Sequence, residues 1–306
     1  MLATSKPFRH CKEAELINFS QTNALLECSA ENELSVDIKV LLSQFEKKQI
    51  FKNGIKLKKA TELFGVLNVV LFTPDDLYLL KAGSSDRRRF IDFTLSQILP
   101  RYFMLIKEYS KVLENKSKIL RAYYEKPSLL TILPEYNQKI AELSAEIISY
   151  RLLFIKELNE LAGKIHSNIS GEKEELILYY KTINDPTVQN ISYQIETQYQ
   201  NELRSGICLV GTHRDDFTAG INGKEVKTFA SQGQTRTAAL ALKLAEREII
   251  KKNIGGTPIM LLDDVLSDLD DKRQQYIIEK ISEGQVFLSA CHLDEKLQKN
   301  AKVFNI

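Results

Sequence analysis

The apolar residues of this chain change their repeat twice along its length, and that limits the folds open to it. Leu34, Val36, Ile38, Val40 and Leu42 alternate with Ser35, Asp37 and Lys39, the period of a strand with one buried face. Asn53-Gly54 lies between Ile50-Phe51 and Ile55 and predicts a two-residue hairpin, because both central residues of a type I′ turn need positive φ. Residues 66–72 read as a buried strand closed by Thr73-Pro74. The period then becomes helical. Phe103, Ile106, Tyr109, Val112 and Leu113 follow Pro100, which suits a first helical turn. After a break at 128–134, Ile140, Leu143, Ile147, Leu152, Ile155, Leu158, Leu161 and Ile165 predict one long helix ending near Ser170-Gly171.

The last third mixes both periods. Residues 207–210 read as a short strand, Asn222-Gly223 as a second hairpin, and 238–250 as a helix ended by Gly255-Gly256. A strand at 258–262, a helix at 273–281 and a strand at 286–290 have the spacing of a parallel sheet. The order predicts an α/β protein carrying an inserted helical domain. The expected parts are a β-rich 1–86, a helical 87–203 and an α/β return over 204–306.

Composition narrows the class. The chain has 306 residues, 43% apolar and 27% charged, which suits a globular protein rather than a disordered one. Lys plus Arg is 42 against 40 Asp plus Glu, which excludes a globally polybasic coat but not a local basic face. Cys11, Cys28, Cys208 and Cys291 are scattered with no C-x-x-C pair, so neither a zinc site nor a disulfide framework is expected, and a reducing cytoplasm is. No apolar run reaches membrane-spanning length, and no membrane association is expected.

The chemistry concentrates in three places. The apolar strand over 259–262 runs into Asp263 and Asp264, and strand tips of parallel sheets are where ligands bind. Paired carboxylates there suit a Mg²⁺ site and a water-activating base for nucleotide hydrolysis; a strand simply running into an acidic loop is the plain alternative. Upstream, Ser231, Gln232, Gly233 and Gln234 open the Ala-rich helix. Ser231 is a natural N-cap, Gly233 allows close backbone approach, and the helix N-terminus favours a phosphate. Downstream come Ser267, Asp268 and Asp270, and then His292 at the tip of the next strand.

In this order the motifs resemble the C-terminal half of ABC-type ATPase heads, a mixed sheet with flanking helices, and their wording is similar to that of the RecF family of bacterial recombination mediators. The matching strings are Gly211-Thr212-His213-Arg214-Asp215-Asp216, Ser231-Gln232-Gly233-Gln234-Thr235-Arg236, Ala241 to Glu246, and Leu261 to Ser267, with a further block from Phe72 to Asp92. The resemblance implies roles. Asp263 would ligate Mg²⁺, Asp264 would position or deprotonate the attacking water, and His292 would lie near the γ-phosphate. Ser231, Gln232, Gly233 and Gln234 would form the signature that meets ATP, and Ser267 and Asp270 would lie in a loop crossing a dimer interface. It also implies ATP- and Mg²⁺-dependent homodimerisation on duplex DNA or at a single/double-strand junction, and recombinase loading at gaps with the mediators RecO and RecR.

The chain departs from the family pattern in places. Ala82 and Ser84 replace the usual Gly and Pro, Thr212 stands where Pro is usual, and no G-x-x-x-x-G-K-[ST] loop is present. The similarity starts near Ser5 and Pro7, as if roughly 50–60 residues of strand, loop and helix preceded it. Without that phosphate cradle the chain is expected not to hydrolyse ATP alone. It would donate its signature half-site in trans, or act as an ATPase-dead DNA-binding or interaction module. Arg87, Arg88 and Arg89, and Lys47 and Lys48 beside Lys56, Lys58 and Lys59, are candidate DNA contacts, with solvated surface as the alternative. For His213, Arg214, Asp215 and Asp216 a loop salt-bridge network stands beside a functional reading.

Overall fold

The computed structural model describes residues 1–5, 7–8, 11–31, 35–266, 269–290 and 301–304. Contacts divide the chain into two compact units, residues 1–69 and 70–306.

The first unit is an antiparallel meander of β1 (Asn23–Glu31), β2 (Ser35–Ser43), β3 (Gln49–Lys52) and β4 (Ile55–Lys56). Alternation along β2 buries Ile38, Val40 and Leu42 with Ile50 of β3 and Leu63 and Leu67 beyond it. The β3–β4 turn forms as expected, with Asn53 at φ 49° and Gly54 at 76°.

The second unit contains β5 (Val69–Phe72), α1 (Ser84–Ile98), α2 (Pro100–Ala122), α3 (Leu133–Ser170), β6 (Leu176–Lys181), α4 (Val188–Ser205), β7 (Asp216–Ile221), β8 (Lys224–Glu225), α5 (Val226–Phe229), α6 (Gln232–Ile254), β9 (Ile259–Asp263), α7 (Asp271–Lys280) and β10 (Val286–Ser289). Pro100 sits in the first turn of α2, and Gly171 ends α3 at φ 69°. The strand expected at 66–72 begins only at Val69, after a turn through Gly65 at φ 79°.

Two three-stranded sheets form, in the orders β10-β9-β5 and β6-β7-β8. β10 runs parallel to β9, with Ser289 opposite Asp263. β7 pairs antiparallel with β6 and, through the positive-φ Asn222-Gly223 turn, with β8.

Helix α6 is the axis of this unit. Its Ala238, Ala241, Leu242, Ala245 and Ile249 join the core built by α1, α2, α3 and β7, whereas Leu240, Leu244 and Ile250 join the core under β5 and β9. Three alanines on one side leave room for the neighbouring helices to come close. The helices of 87–203 therefore share a core with residues of 204–306. Strand β6 lies within the expected helical part 87–203 and pairs with β7 of the expected 204–306 part, and the contacts divide the chain in two at 69/70.

One expected strand is absent. Residues 207–210 form no ladder, because side chains take their backbone groups: Leu209 N–H donates to Glu202 at 2.7 Å, and the Cys208 carbonyl accepts from His213 and Arg214.

Candidate functional site

Asp263 closes β9 and Asp264 follows it at φ 51°, a left-handed turn that is uncommon for a residue with a side chain. Ser289, at the tip of the parallel neighbour, ties the two together. Its hydroxyl donates to Asp263 Oδ1 at 2.9 Å, while its carbonyl and hydroxyl oxygens both accept from Asp264 N–H at 3.1 Å. Ser289 carries no motif of its own; its signal in the sequence is its place at the end of the strand expected beside β9. Ser267 and His292 lie outside the described residues.

The 231–234 motif forms a reciprocal cap. Ser231 Oγ accepts from Gln234 N–H at 3.2 Å, and Gln234 Oε1 accepts from Ser231 N–H at 2.9 Å. Two further side chains pin it: Lys81 donates to the Ala230 carbonyl at 3.1 Å, and Gln234 Nε2 donates to Glu174 Oε1 at 2.7 Å. Asp270 caps α7 by accepting from Arg273 N–H and pairs with the Arg273 guanidinium. Arg273 Nε donates to Thr237 Oγ1 at 2.7 Å, and Thr237 Oγ1 donates to the Gly233 carbonyl at 2.8 Å. Asp270 and Gly233 are thus linked through two residues that sequence reasoning missed. Arg273 lies three positions after the Asp270 cap, and Thr237 four after Gly233 on the same helix.

Ser231, Gly233, Gln234, Thr237, Asp270 and Arg273 line a cleft of about 630 Å³, to which Lys173 also contributes. Asp263 and Asp264 do not line it. A β-carbon on Gly233 would lie 3.8 Å from Arg273 and 4.0 Å from Ser231, ordinary contact distances. The chain's own packing does not require glycine here. A helix N-terminus with an uncrowded first turn suits an approaching phosphate. Among the described residues no group of three or more His, Cys, Asp or Glu could hold a metal ion.

The basic candidates separate. Arg87 is 4% exposed and forks onto Asp216 with two bonds of 2.8 Å while donating to the Ala82 carbonyl, so its guanidinium is not offered to DNA. Arg88 donates to the Asp215 carbonyl at 2.6 Å, and Arg89 is exposed. A run of three on a helix spreads over three directions, and only one of them faces outward. Lys48 is bound to Glu13 and to the Ser5 carbonyl, and Lys47 is exposed. Arg87 and Lys48 thus have their cationic groups engaged within the chain.

The 211–216 segment is a buried network. Arg151, 2% exposed, donates to Asp92, to Asp215 and to both oxygens of Thr212. Asp215 also accepts from Tyr180, Thr182 and Thr212. His213 bonds Tyr109 OH through Nδ1 at 2.6 Å and the Cys208 carbonyl through Nε2 at 3.0 Å, an arrangement satisfied by the neutral ring with its proton on Nε2. Burial lowers its pKa, against the Cys208 bond that favours the charged form. Burial also opposes ionisation of Asp216, but the Arg87 fork outweighs it and holds the carboxyl below its usual range. The salt-bridge reading of this segment is the one the contacts support.

An α/β head with paired carboxylates at a parallel strand tip and a capped S-x-G-Q helix opposite a loop acid places the protein among the ATPase heads. No family profile matches the chain. It is 37% identical to the DNA replication and repair protein RecF of Agathobacter rectalis over 303 residues, 98% of this chain and 83% of that one. It is 36% identical to the protein of the same name from Ruminiclostridium cellulolyticum over 319 residues, covering 100% and 86%. A solved structure of the recombination mediator protein RecF with ATP in the RecFOR pathway superposes with a TM-score of 0.88 at 32% identity, covering 96% of this chain and 81% of that one. The chain belongs to the RecF family.

Proposed function

We propose that this protein acts in DNA replication and repair as a RecF-type recombination mediator whose hold on DNA is switched by ATP. The observation that carries the reading is the coincidence of near-full-length similarity to RecF proteins with an intact, capped Ser231-to-Gln234 motif facing an open cleft. Asp263 would hold Mg²⁺ and Asp264 would orient the attacking water. ATP, when bound, would supply phosphate charge for the 231–234 helix N-terminus to meet.

In a site completed between two subunits, each would offer its 231–234 helix to nucleotide whose phosphate cradle these 306 residues do not supply. Ser267, Asp270 and His292 would belong to that same junction. A phosphate-cradling loop is not among the residues of this sequence, so these 306 residues supply the signature and carboxylate parts of the switch. The DNA bound would be a duplex or a gap junction, the helpers RecO and RecR, and the compartment the cytoplasm. Among the described residues no helix is long and apolar enough to cross a membrane. Arg88, Arg89 and Lys47 remain in the proposed DNA-contacting set.

Disrupting the gene in its source cell tests the role. Survival after ultraviolet damage should fall and be restored by the intact gene; unchanged survival would contradict a repair function.

A further inference from the structure

His166, on α3, is fully buried, and neither ring nitrogen has a hydrogen-bond partner among the described residues. Buried polar groups are nearly always paired, so an imidazole left without a bond calls for an explanation. Glu174 is its polar neighbour: Oε2 lies 3.6 Å from His166 Nε2, just beyond bonding distance, and the Glu174 backbone also favours the charged ring. The other oxygen of that carboxylate accepts from Gln234 Nε2 at 2.7 Å. Glu174 therefore stands between two donors and bonds only the signature glutamine. It is only partly buried and lines the cleft, so it has room to turn.

We propose that Glu174 is a two-position latch for Gln234, holding the glutamine amide in the state seen here and passing to His166 when the amide is drawn into the cleft. The move costs Glu174 no hydrogen bond, since the Gln234 bond is replaced by one to the unsatisfied Nε2–H. Gln234 can then leave Glu174 while the helix stays capped, because Ser231 Oγ still accepts from Gln234 N–H. Glu174 is thus a positioning residue for the motif, and His166 is the alternative partner that makes its release possible. The charged groups facing His166 are Glu174, from the segment after α3, and Arg273, from α7. Burial lowers the pKa of His166 and Glu174 opposes that, so the ring that receives Glu174 at neutral pH is the uncharged one. The functional meaning of the latch rests on reading 231–234 as the nucleotide-facing motif, but its geometry does not.

The test needs neither nucleotide nor DNA, so its failure is distinct from failure of the functional reading. In the full chain, the four histidines are followed by heteronuclear NMR across a pH titration. Gln234→Ala removes the competing amide. Glu174 should then bond His166, raising its proton affinity about tenfold and shifting its Nε2–H resonance downfield. Gln234→Glu should release Glu174 by repulsion while keeping an acceptor for Ser231 N–H, covering the case in which Gln234→Ala frays the helix. Adding Glu174→Gln to either variant should abolish the change. A His166 proton affinity altered less than threefold in both single variants, or a rise that survives Glu174→Gln, overturns the latch.

Discussion

The same substitution, Gly to Ala, should have opposite effects at two glycines of the family motifs. Gly211 has φ 134°, which L-residues rarely adopt, and a β-carbon there would collide with the Tyr109 hydroxyl and lie 3.2 Å from His213 Nδ1 and 3.3 Å from Ser144 Oγ. Backbone strain of about 1–3 kcal/mol adds to an overpacking cost of about 1–3 kcal/mol, so Gly211→Ala should destabilise by about 2–6 kcal/mol. Tyr109 and Ser144 lie on α2 and α3, so the neighbours that would have to yield belong to the main core. Gly233 lies in the first turn of α6 without positive φ, with its nearest obstacle at 3.8 Å. Gly233→Ala should therefore be neutral or stabilise by up to about 1 kcal/mol through helix propensity. Urea unfolding of the three proteins, followed by circular dichroism, measures both. Equal midpoints for Gly211→Ala and the parent, or a loss above about 1 kcal/mol for Gly233→Ala, would refute the steric argument.

Arg151→Met should cost about 3–5 kcal/mol by stranding the buried Asp215, read as a lowered denaturation midpoint; a loss below 1 kcal/mol would mean the network is not what holds the 211–216 segment. Arg89→Ala should reduce the salt dependence of DNA binding by about one counterion, whereas Arg87→Ala should act on stability through the loss of Asp216's partner. His213 is neutral in the fold with its pKa lowered by burial, so its contribution to stability is complete above the unfolded value near 6.5. Below that the unfolded chain takes up a proton that the native ring resists, and stability falls by up to about 1.4 kcal/mol per pH unit until the native ring titrates. His213→Gln should flatten the profile between pH 7 and 5 by that one proton.

Much of this was legible in the residues because local chemistry dictated it. Asn53-Gly54 and Asn222-Gly223 specify turns that few other pairs allow, Pro100 and Gly171 mark helix ends, and the apolar run of β9 placed Asp263 and Asp264 at a strand tip. Ser231 and Gln234 announced their cap three residues apart. What was missed depends on distant partners. Helix α4 is rich in Gln, Asn and Tyr, and only Ile191, Ile195 and Leu203 mark its buried apolar side, so few apolar residues announce it. Residues 207–210 have the apolar look of a strand, yet Glu202, His213 and Arg214 claim their backbone groups. The burial of Arg87, Lys116 and Arg151 follows from Asp216, Glu202 and Asp215, more than 60 residues away in each case, and nothing local distinguishes these cations from solvated ones. The link from Asp270 through Arg273 and Thr237 to Gly233 likewise exists only once α6 and α7 are packed.

Titration of a fluorescent gapped duplex, followed by anisotropy, decides whether this member of the RecF family binds DNA as proposed. Binding should saturate at about 50 mM salt, with log affinity falling linearly as log salt concentration rises, the mark of phosphate contacts by cations. Anisotropy that stays flat at 50 mM salt would contradict it.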